Sequence, residues 1–410
     1  MSKFEKKLFS LGELYVSDFI DQESDARAGK HDMTLVIDER YGAARLETAT
    51  PIHSMFGKYW YRSGINNTMR TELKGIVESV QSVHNLKEND LWLDIACNDG
   101  TLLSYVPEGI KKLGIDPAED SFVEDSSKVA DEIIQDYFTL ESFKRSKFKK
   151  QKANVITCIA MFYDLDEPID FLKDVSKVLD DDGLFVLQMS YTPLMIKQLA
   201  FDNICHEHVY YWSLLSLQKL LKKAGLKVVD CQINDVNGGS FRIYIKKNKS
   251  NITTFGTTPY RDVCNVRVDS LLKWEKGLKL DKEEIWLDFY NRIEGLKEQT
   301  VNFIKEEKAK GKIICGYGAS TKGNTLLQYF NLDNTLIDAI AERSPYKFGL
   351  KTIGTNIPIL SEEEVRAMKP DYMLVLPWHF ISEFIKREDE FLSNGGKFIV
   401  PCPKFETIGK

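Results

Sequence analysis

Leu91-Trp92-Leu93-Asp94-Ile95-Ala96-Cys97-Asn98-Asp99-Gly100-Thr101-Leu102-Leu103-Ser104-Tyr105 reads as strand, turn and helix. The apolar run 91–95 has strand length, Asn98-Asp99-Gly100 breaks it, and Thr101 opens a helix. In a doubly wound sheet this is the place where nucleotides bind. Small residues in the turn let the backbone approach a ligand, and Asp94 can bond an ammonium group. Asp116 ends the next short strand, Lys112–Asp116, 22 positions after Asp94. A carboxylate at about that distance suits a ribose diol. The turn 94–100 has one glycine and two acids. A pyrophosphate packed against a helix start needs more glycines and fewer acids. An acidic turn fits a cationic ligand without phosphate, such as S-adenosylmethionine. The competing reading is a purely structural strand-turn-helix.

Outward from this turn, residues 71–250 alternate strands and helices. Asn154–Ile159 and Leu184–Met189 read as further strands. Phe171–Leu179 is helical, with Gly183 placed like its C-terminal cap. Leu214–Ala224 is an amphipathic helix stopped at Gly225, and 227–230 and 241–245 form a closing pair of strands. Such alternation predicts a mostly parallel sheet with helices on both faces. The polar, turn-rich stretch 247–262 reads as a linker. A long helix over about 281–310 leads into a second α/β run, with strands at 312–315, 336–340, 372–376 and 397–400. Between the first two of these lies the glycine turn Gly316-Tyr317-Gly318-Ala319-Ser320-Thr321-Lys322-Gly323, then a helix over 324–330. Residues 1–70 have weak periodicity and read as a small irregular domain with short strand-like pieces such as 33–37. The expected domains are thus 1–70, 71–250 and 251–410.

Composition narrows the classes. The 410 residues are 43% hydrophobic and 28% charged, which is ordinary globular usage. A formal net charge of −6 argues against a nucleic-acid footprint; the basic run 144–150 reads as a solvated surface segment. Seven scattered cysteines, none in CxxC spacing, speak against a disulfide framework or a zinc ribbon. The first residues, MSKFEKKLFSLGELYVSDF, lack a signal-peptide core, and no run approaches the roughly 20 apolar residues of a membrane span. The expectation is a cytoplasmic enzyme with no membrane association and no obligate protein partner.

Phe201-Asp202-Asn203-Ile204-Cys205-His206-Glu207-His208 holds two of the six histidines. In an extended segment His206 and His208 share a face and Glu207 points away. Three readings stand: a metal site through Cys205, His206 and His208; general acid/base chemistry by a histidine held by Glu207; or a hydrogen-bonded structural cluster.

Taken together, DIACNDGTLL (94–103), GIDPAE (114–119), FDNICHEHVYYWS (201–213), GGSFRIYI (238–245), GYGASTKGNTLLQYF (316–330), ERSPYKFG (342–349), GTNIPI (354–359) and LPWHF (376–380) resemble the S-adenosylmethionine-dependent nucleotide-sugar C-methyltransferases of deoxysugar pathways, over about 55–405. The resemblance implies a class I methyltransferase Rossmann-like domain, a C-terminal Rossmann-like domain that holds the nucleotide sugar, and an N-terminal zinc domain. That zinc domain uses four cysteines. This chain has none before Cys97, so no metal is expected, although Tyr59–Gly64 reads like the domain's end. Cys205 stands where the family has tyrosine, and Ala96 where it has glycine. The implied reaction is methylation of a carbon, C3 of a 4-keto sugar, through an enolate. Family match assigns the base to His208, supported by Glu207, with His206 as second choice and Tyr61 placing or polarising the ketone. Asp94, Ala96, Asn98, Asp99, Gly100 and Asp116 then hold S-adenosylmethionine. Gly316, Gly318, Lys322, Arg343 and Lys347 face the nucleotide-sugar pyrophosphate, and Tyr346 or Trp378 gives a stacking face. The alternatives are O-methylation and an NAD(P)-dependent oxidoreductase using Gly316, Gly318 and Gly323, with Glu342 toward the ribose.

Overall fold

Strands are the first thing the chain builds. The computed structural model describes residues 5–23, 29–51, 60–251, 254–259 and 263–410. Before residue 50 lie β1 (Glu5–Tyr15), β2 (Phe19–Asp21), β3 (Lys30–Asp38) and β4 (Ala43–Leu46). β1, β3 and β4 form an antiparallel sheet. This is more regular than the weak periodicity promised. Met33, Leu35 and Ile37 alternate onto its covered face, but Thr34 and Val36 are buried too, so the two-residue period is blurred.

The next eight strands are β5 (Leu91–Ile95), β6 (Lys111–Ile115), β7 (Glu132–Ile134), β8 (Ala153–Ile159), β9 (Leu179–Ser190), β10 (Tyr210–Tyr211), β11 (Leu226–Asn234) and β12 (Ser240–Lys247). β10 leaves this group and pairs with β4, extending the N-terminal sheet. The other seven form one sheet in the order β11-β12-β9-β8-β5-β6-β7. All neighbours are parallel except those of β12, which runs antiparallel to β9 and β11. Every residue of β5 is buried, as expected for a central parallel strand covered on both faces. β5 has β6 on one side and β8 on the other, so the switch point lies at its C-terminal end.

A short hairpin, β13 (Thr254–Phe255) and β14 (Thr258–Pro259), follows within the expected linker 247–262; residues 252–253 and 260–262 of that linker, like Tyr59, lie outside the described residues. The helix Cys264–Leu278, which the sequence reading missed, precedes the long helix Glu283–Ala309. The last sheet contains β15 (Ile314–Tyr317) and β16 (Ile340–Glu342). Next in the chain comes β17 (Leu350–Thr352), which pairs instead with β2. β18 (Ile359–Ser361), β19 (Tyr372–Val375), β20 (Lys397–Val400) and β21 (Glu406–Ile408) complete the sheet, in the order β18-β16-β15-β19-β20-β21.

Two local expectations are corrected. Gly183 is no helix cap: the helix Pro168–Val178 ends because Leu179 turns extended (φ −60°, ψ 140°) and starts β9. At Gly183 a Cβ would lie 3.0 Å from the Ala153 carbonyl oxygen, so close strand approach explains the glycine. The strand expected at 336–340 begins only at Ile340, because Leu336 and Ile337 close a turn onto the Asp333 carbonyl.

The cores tie distant parts of the chain together. Leu8, Leu14, Leu35 and Leu46 from the N-terminal sheet share one apolar cluster with Trp286, Phe289, Ile340 and Met373. The two faces of the seven-stranded sheet carry separate clusters around Phe162 and Trp212 and around Trp92 and Val186. Among the described residues no helix is long and apolar enough to cross a membrane.

Candidate active site

The turn after β5 is held in an unusual backbone. Ala96, Asn98 and Gly100 have φ of +59°, +51° and +77°, and Ala160, just past the neighbouring β8, has +56°. Left-handed geometry costs a non-glycine residue about 1–2 kcal/mol, and three such residues meet at the switch point. Gly100 is obligatory: a Cβ there would lie 2.8 Å from Ser126 Cα. Asp116 grips the turn, its two oxygens accepting from Asn98 N at 2.7 Å and Ala118 N at 2.8 Å. Asp94 is turned into the sheet, where Thr157 Oγ1 donates to it at 2.6 Å. Burial pushes its carboxyl up to about 7. Asp99 Oδ2 accepts from Gly64 N at 2.8 Å, and Asn98 accepts from Ser63 N at 3.0 Å and donates to the Tyr61 carbonyl at 3.0 Å. The segment 61–64 thus lies across the turn, with the Tyr61 ring partly in solvent and Arg62 stacked 3.9 Å over Phe122.

The glycine turn after β15 repeats this architecture with different chemistry. Each of its glycines lets another strand's end come close. A Cβ would meet Ile340 at 2.8 Å from Gly316, Pro377 at 2.7 Å from Gly318 and Leu376 at 2.9 Å from Gly323. Glu342, at the end of β16, accepts from Ala319 N at 2.8 Å, and Ser320 caps the helix Thr321–Phe330 by accepting from Gly323 N at 3.0 Å. Lys347 is largely buried, donating to the Ala319 carbonyl at 2.7 Å with Glu342 3.7 Å away. Trp378 is only 5% exposed and donates to Asp202 Oδ2 at 3.1 Å, so its ring is no surface platform. Arg343 and Tyr346 remain open to solvent, Tyr346 at 68% exposure. Lys322 leaves the turn and donates to Asn203 Oδ1 at 2.6 Å.

That bond leads to the Cys-His-Glu-His segment, which is a turn closed by His208 N donating to the Cys205 carbonyl at 3.1 Å. The expectation of an extended segment with both histidines on one face is therefore corrected. His206 points away to the N-terminal sheet, its Nε2 donating to the Leu14 carbonyl at 3.1 Å and its ring 5.8 Å from that of His31. His208 points inward, with its ring centroid 4.0 Å from that of Tyr163. Its Nδ1 sits 2.9 Å from the Asn203 carbonyl, which only accepts, so the proton is on Nδ1 and Nε2 carries the lone pair. Burial, aided by Lys322, pushes His208 down to about 3, so it is neutral. Burial pushes Glu207 up to about 7, with Lys322 pulling the other way. Ligand atoms of Cys205, Glu207 and His208 lie within 4.8 Å of one another; His206 is not in that group.

Sequence reasoning missed several members of this cluster. Asp164, Tyr211 and His379 gather around it, with burial pushing the Asp164 carboxyl well up and the His379 ring down to about 3. Among the described residues Asp164 Oδ1, Asp202 Oδ1 and the Tyr211 hydroxyl lack a hydrogen-bond partner. Asp202 lies inside the FDNICHEH stretch and was open to notice; nothing local marked Asp164.

Comparison with known proteins agrees with this geometry. Residues 67–230 match a methyltransferase domain family and 235–403 the C-methyltransferase C-terminal domain. The C-methyltransferase NovU of Streptomyces niveus is 31% identical over 358 residues, covering 86% of this chain and 82% of that protein. The chain belongs to the C-methyltransferases. Solved structures similar to part of it include a S-adenosylmethionine-dependent methyltransferase from Clostridium acetobutylicum (14% identity, 45% of this chain and 93% of that one, TM-score 0.33). Another is the magnesium protoporphyrin IX methyltransferase of Synechocystis with bound S-adenosylhomocysteine (12%, 45% and 88%, TM-score 0.35). This C-methyltransferase takes its methyl group from S-adenosylmethionine, and the turn after β5 fits that molecule. Asp94, Asp99 and Asp116 make the turn acidic, which suits sulfonium and ammonium charges, and the left-handed residues hold small groups at the strand ends.

Proposed function

We propose that this C-methyltransferase methylates C3 of a 4-keto, nucleotide-linked deoxysugar in the cytoplasm. The observation that carries the reading is the closeness of Glu207 and His208, with ligand atoms within 4.8 Å, in a turn tied through Asn203 to Ser190 at the end of β9 and to Lys322 of the second turn. Carbon is a nucleophile only when a neighbouring carbonyl acidifies its proton, so the site needs an oriented base in a dry setting. His208 meets that need: the Asn203 carbonyl fixes its tautomer, and Nε2 takes the C3 proton. Glu207, with its carboxyl near neutrality, supports the resulting imidazolium. Asp94, Ala96, Asn98, Asp99, Gly100 and Asp116 hold S-adenosylmethionine, which when bound supplies a methyl group on a positively charged sulfur to the carbon so activated. The turn Gly316–Gly323, with exposed Arg343 and Tyr346, faces the nucleotide sugar, and Tyr61 on the overlying segment orients the ketone. The three units 1–70, 71–250 and 251–410 divide the work into support, methyl transfer and sugar holding.

The test is product NMR with methyl-13C S-adenosylmethionine and thymidine- or uridine-diphosphate 4-keto-6-deoxyglucose. A labelled methyl on a carbon without hydrogen, next to the ketone, is expected. A labelled methyl ether, or binding of S-adenosylmethionine with no methylation of either sugar, overturns the substrate assignment.

A further inference from the structure

Proton removal next to a ketone creates a charge problem that His208 does not solve. The C–H bond breaks and its proton goes to the base. Its electron pair becomes a carbon–carbon double bond, and the carbonyl pair moves onto oxygen. That oxygen carries a full negative charge until the carbon–carbon bond to the methyl group forms and the methyl–sulfur bond breaks with its pair left on sulfur, which returns the oxygen's pair to the carbonyl. In a buried site such a charge needs a fixed partner.

The cluster around His208 is rich in groups that make the problem worse. Asp164, Asp202 and Glu207 are all acids in the same buried space. Among the described residues one cation acts on them. The Lys322 charge reaches Asp164, Asp202, Cys205, Glu207, His208 and His379. Its ammonium has three donors. One goes to Asn203 Oδ1 at 2.6 Å, and Asn203 is the residue whose carbonyl orients the His208 ring at 2.9 Å. Base and cation are thus fixed on one residue, although they lie 114 positions apart in the chain. The helix Thr321–Phe330 has its first turn capped by Ser320, and Gly323 allows close packing on Leu376, so Lys322 is launched from a rigid start.

We infer that Lys322 is the oxyanion partner of the reaction, holding the ketone oxygen as it becomes an enolate, and is not a pyrophosphate contact. The inference rests on the enolate reading above and assigns the charge that reading leaves open. Lys322 remains an ammonium throughout; it donates hydrogen bonds and transfers no proton.

The experiment compares wild type with Lys322→Met and Lys322→Arg. It measures deuterium exchange from solvent into the carbon next to the ketone of thymidine- and uridine-diphosphate 4-keto-6-deoxyglucose, methyl transfer, and thymidine diphosphate affinity. Lys322→Met is expected to slow exchange and methyl transfer together by ~10²–10³-fold, with thymidine diphosphate affinity within twofold of wild type and partial recovery in Lys322→Arg. Exchange at the wild-type rate, or a loss of thymidine diphosphate affinity that matches the loss of rate, overturns the proposal. A wild type that exchanges neither sugar is a failure of the substrate reading. Lys322 is then judged by the His379 ring titration followed by NMR. An upward move in Lys322→Met supports a charge facing the cluster, and an unmoved titration overturns it.

Discussion

The two glycine-containing turns of this chain share a device and differ in charge. In each, a carboxylate from the end of the next strand reaches back to a turn amide: Asp116 to Asn98 at 2.7 Å, and Glu342 to Ala319 at 2.8 Å. Around the first, Asp94 and Asp99 add acid, and Arg62 of the overlying segment is drawn off to Asp125 at 2.8 Å. Around the second, Lys347 sits 3.7 Å from Glu342 and Arg343 stands exposed, while Lys322 turns away to Asn203. Backbone geometry alone therefore does not distinguish the two turns; the side-chain charge balance does.

The largest effect tests what lies between the turns. His208→Asn is expected to cut methyl transfer by ~10²–10⁴-fold while leaving S-adenosylmethionine affinity unchanged in calorimetry; a parallel loss of both would place His208 in the first turn's function. Next comes Asp116→Ala, which removes a charged grip on the Asn98 amide. S-adenosylmethionine affinity should fall by about 10- to 100-fold, whereas Glu342→Ala should leave it unaltered. Equal losses from the two would erase the distinction drawn here. The pH profile is the third test. Glu207 must be ionised to support an imidazolium, and its carboxyl lies near 7, so kcat should climb about tenfold per pH unit below that and level off above it. Glu207→Gln should flatten the limb; a rising limb that survives in this variant assigns it to another group. The last test, Gly100→Ala, reads the backbone through stability. Left-handed strain plus a 2.8 Å approach to Ser126 Cα should cost about 2–4 kcal/mol of stability, read by urea unfolding. Substitution at Gly349, also at positive φ but with nothing within 4 Å of a Cβ, should cost about 1 kcal/mol.

Six of the seven strands of the large sheet were legible: β5 and β8 announce themselves as apolar runs and the turn after β5 by Asn-Asp-Gly, whereas β7 is three half-buried residues with no pattern of their own. The active site was only half legible. Glu207 and His208 stood out as rare titratable neighbours, yet their relation to His206 was misread. Alternation applies only in a strand, and the bond from His208 N to the Cys205 carbonyl makes this segment a turn. Lys322 reads as a phosphate ligand from its place in a glycine turn, and the partner the structure gives it, Asn203, lies 119 positions away. Asp164 and His379 were invisible for the same reason: long-range convergence leaves no local pattern. The N-terminal sheet was underestimated because burial on both faces of β3 hides the two-residue period.

The pairing of β10 with β4, and the core that the N-terminal sheet shares with Trp286 and Ile340, also set an order of events on the ribosome. The first sheet emerges early, but Trp286 and Ile340 of the core it shares lie 240 or more positions beyond Leu46. At synthesis rates of ~5–20 residues per second that sheet waits on the order of tens of seconds for them. The turn Cys205–His208 waits less, because Lys322 follows its last residue by 114 positions. A chain cut short before residue 322 would carry the turn after β5 and the turn Cys205–His208 without the lysine that donates to Asn203, and this enzyme comes into being only as its last domain is made.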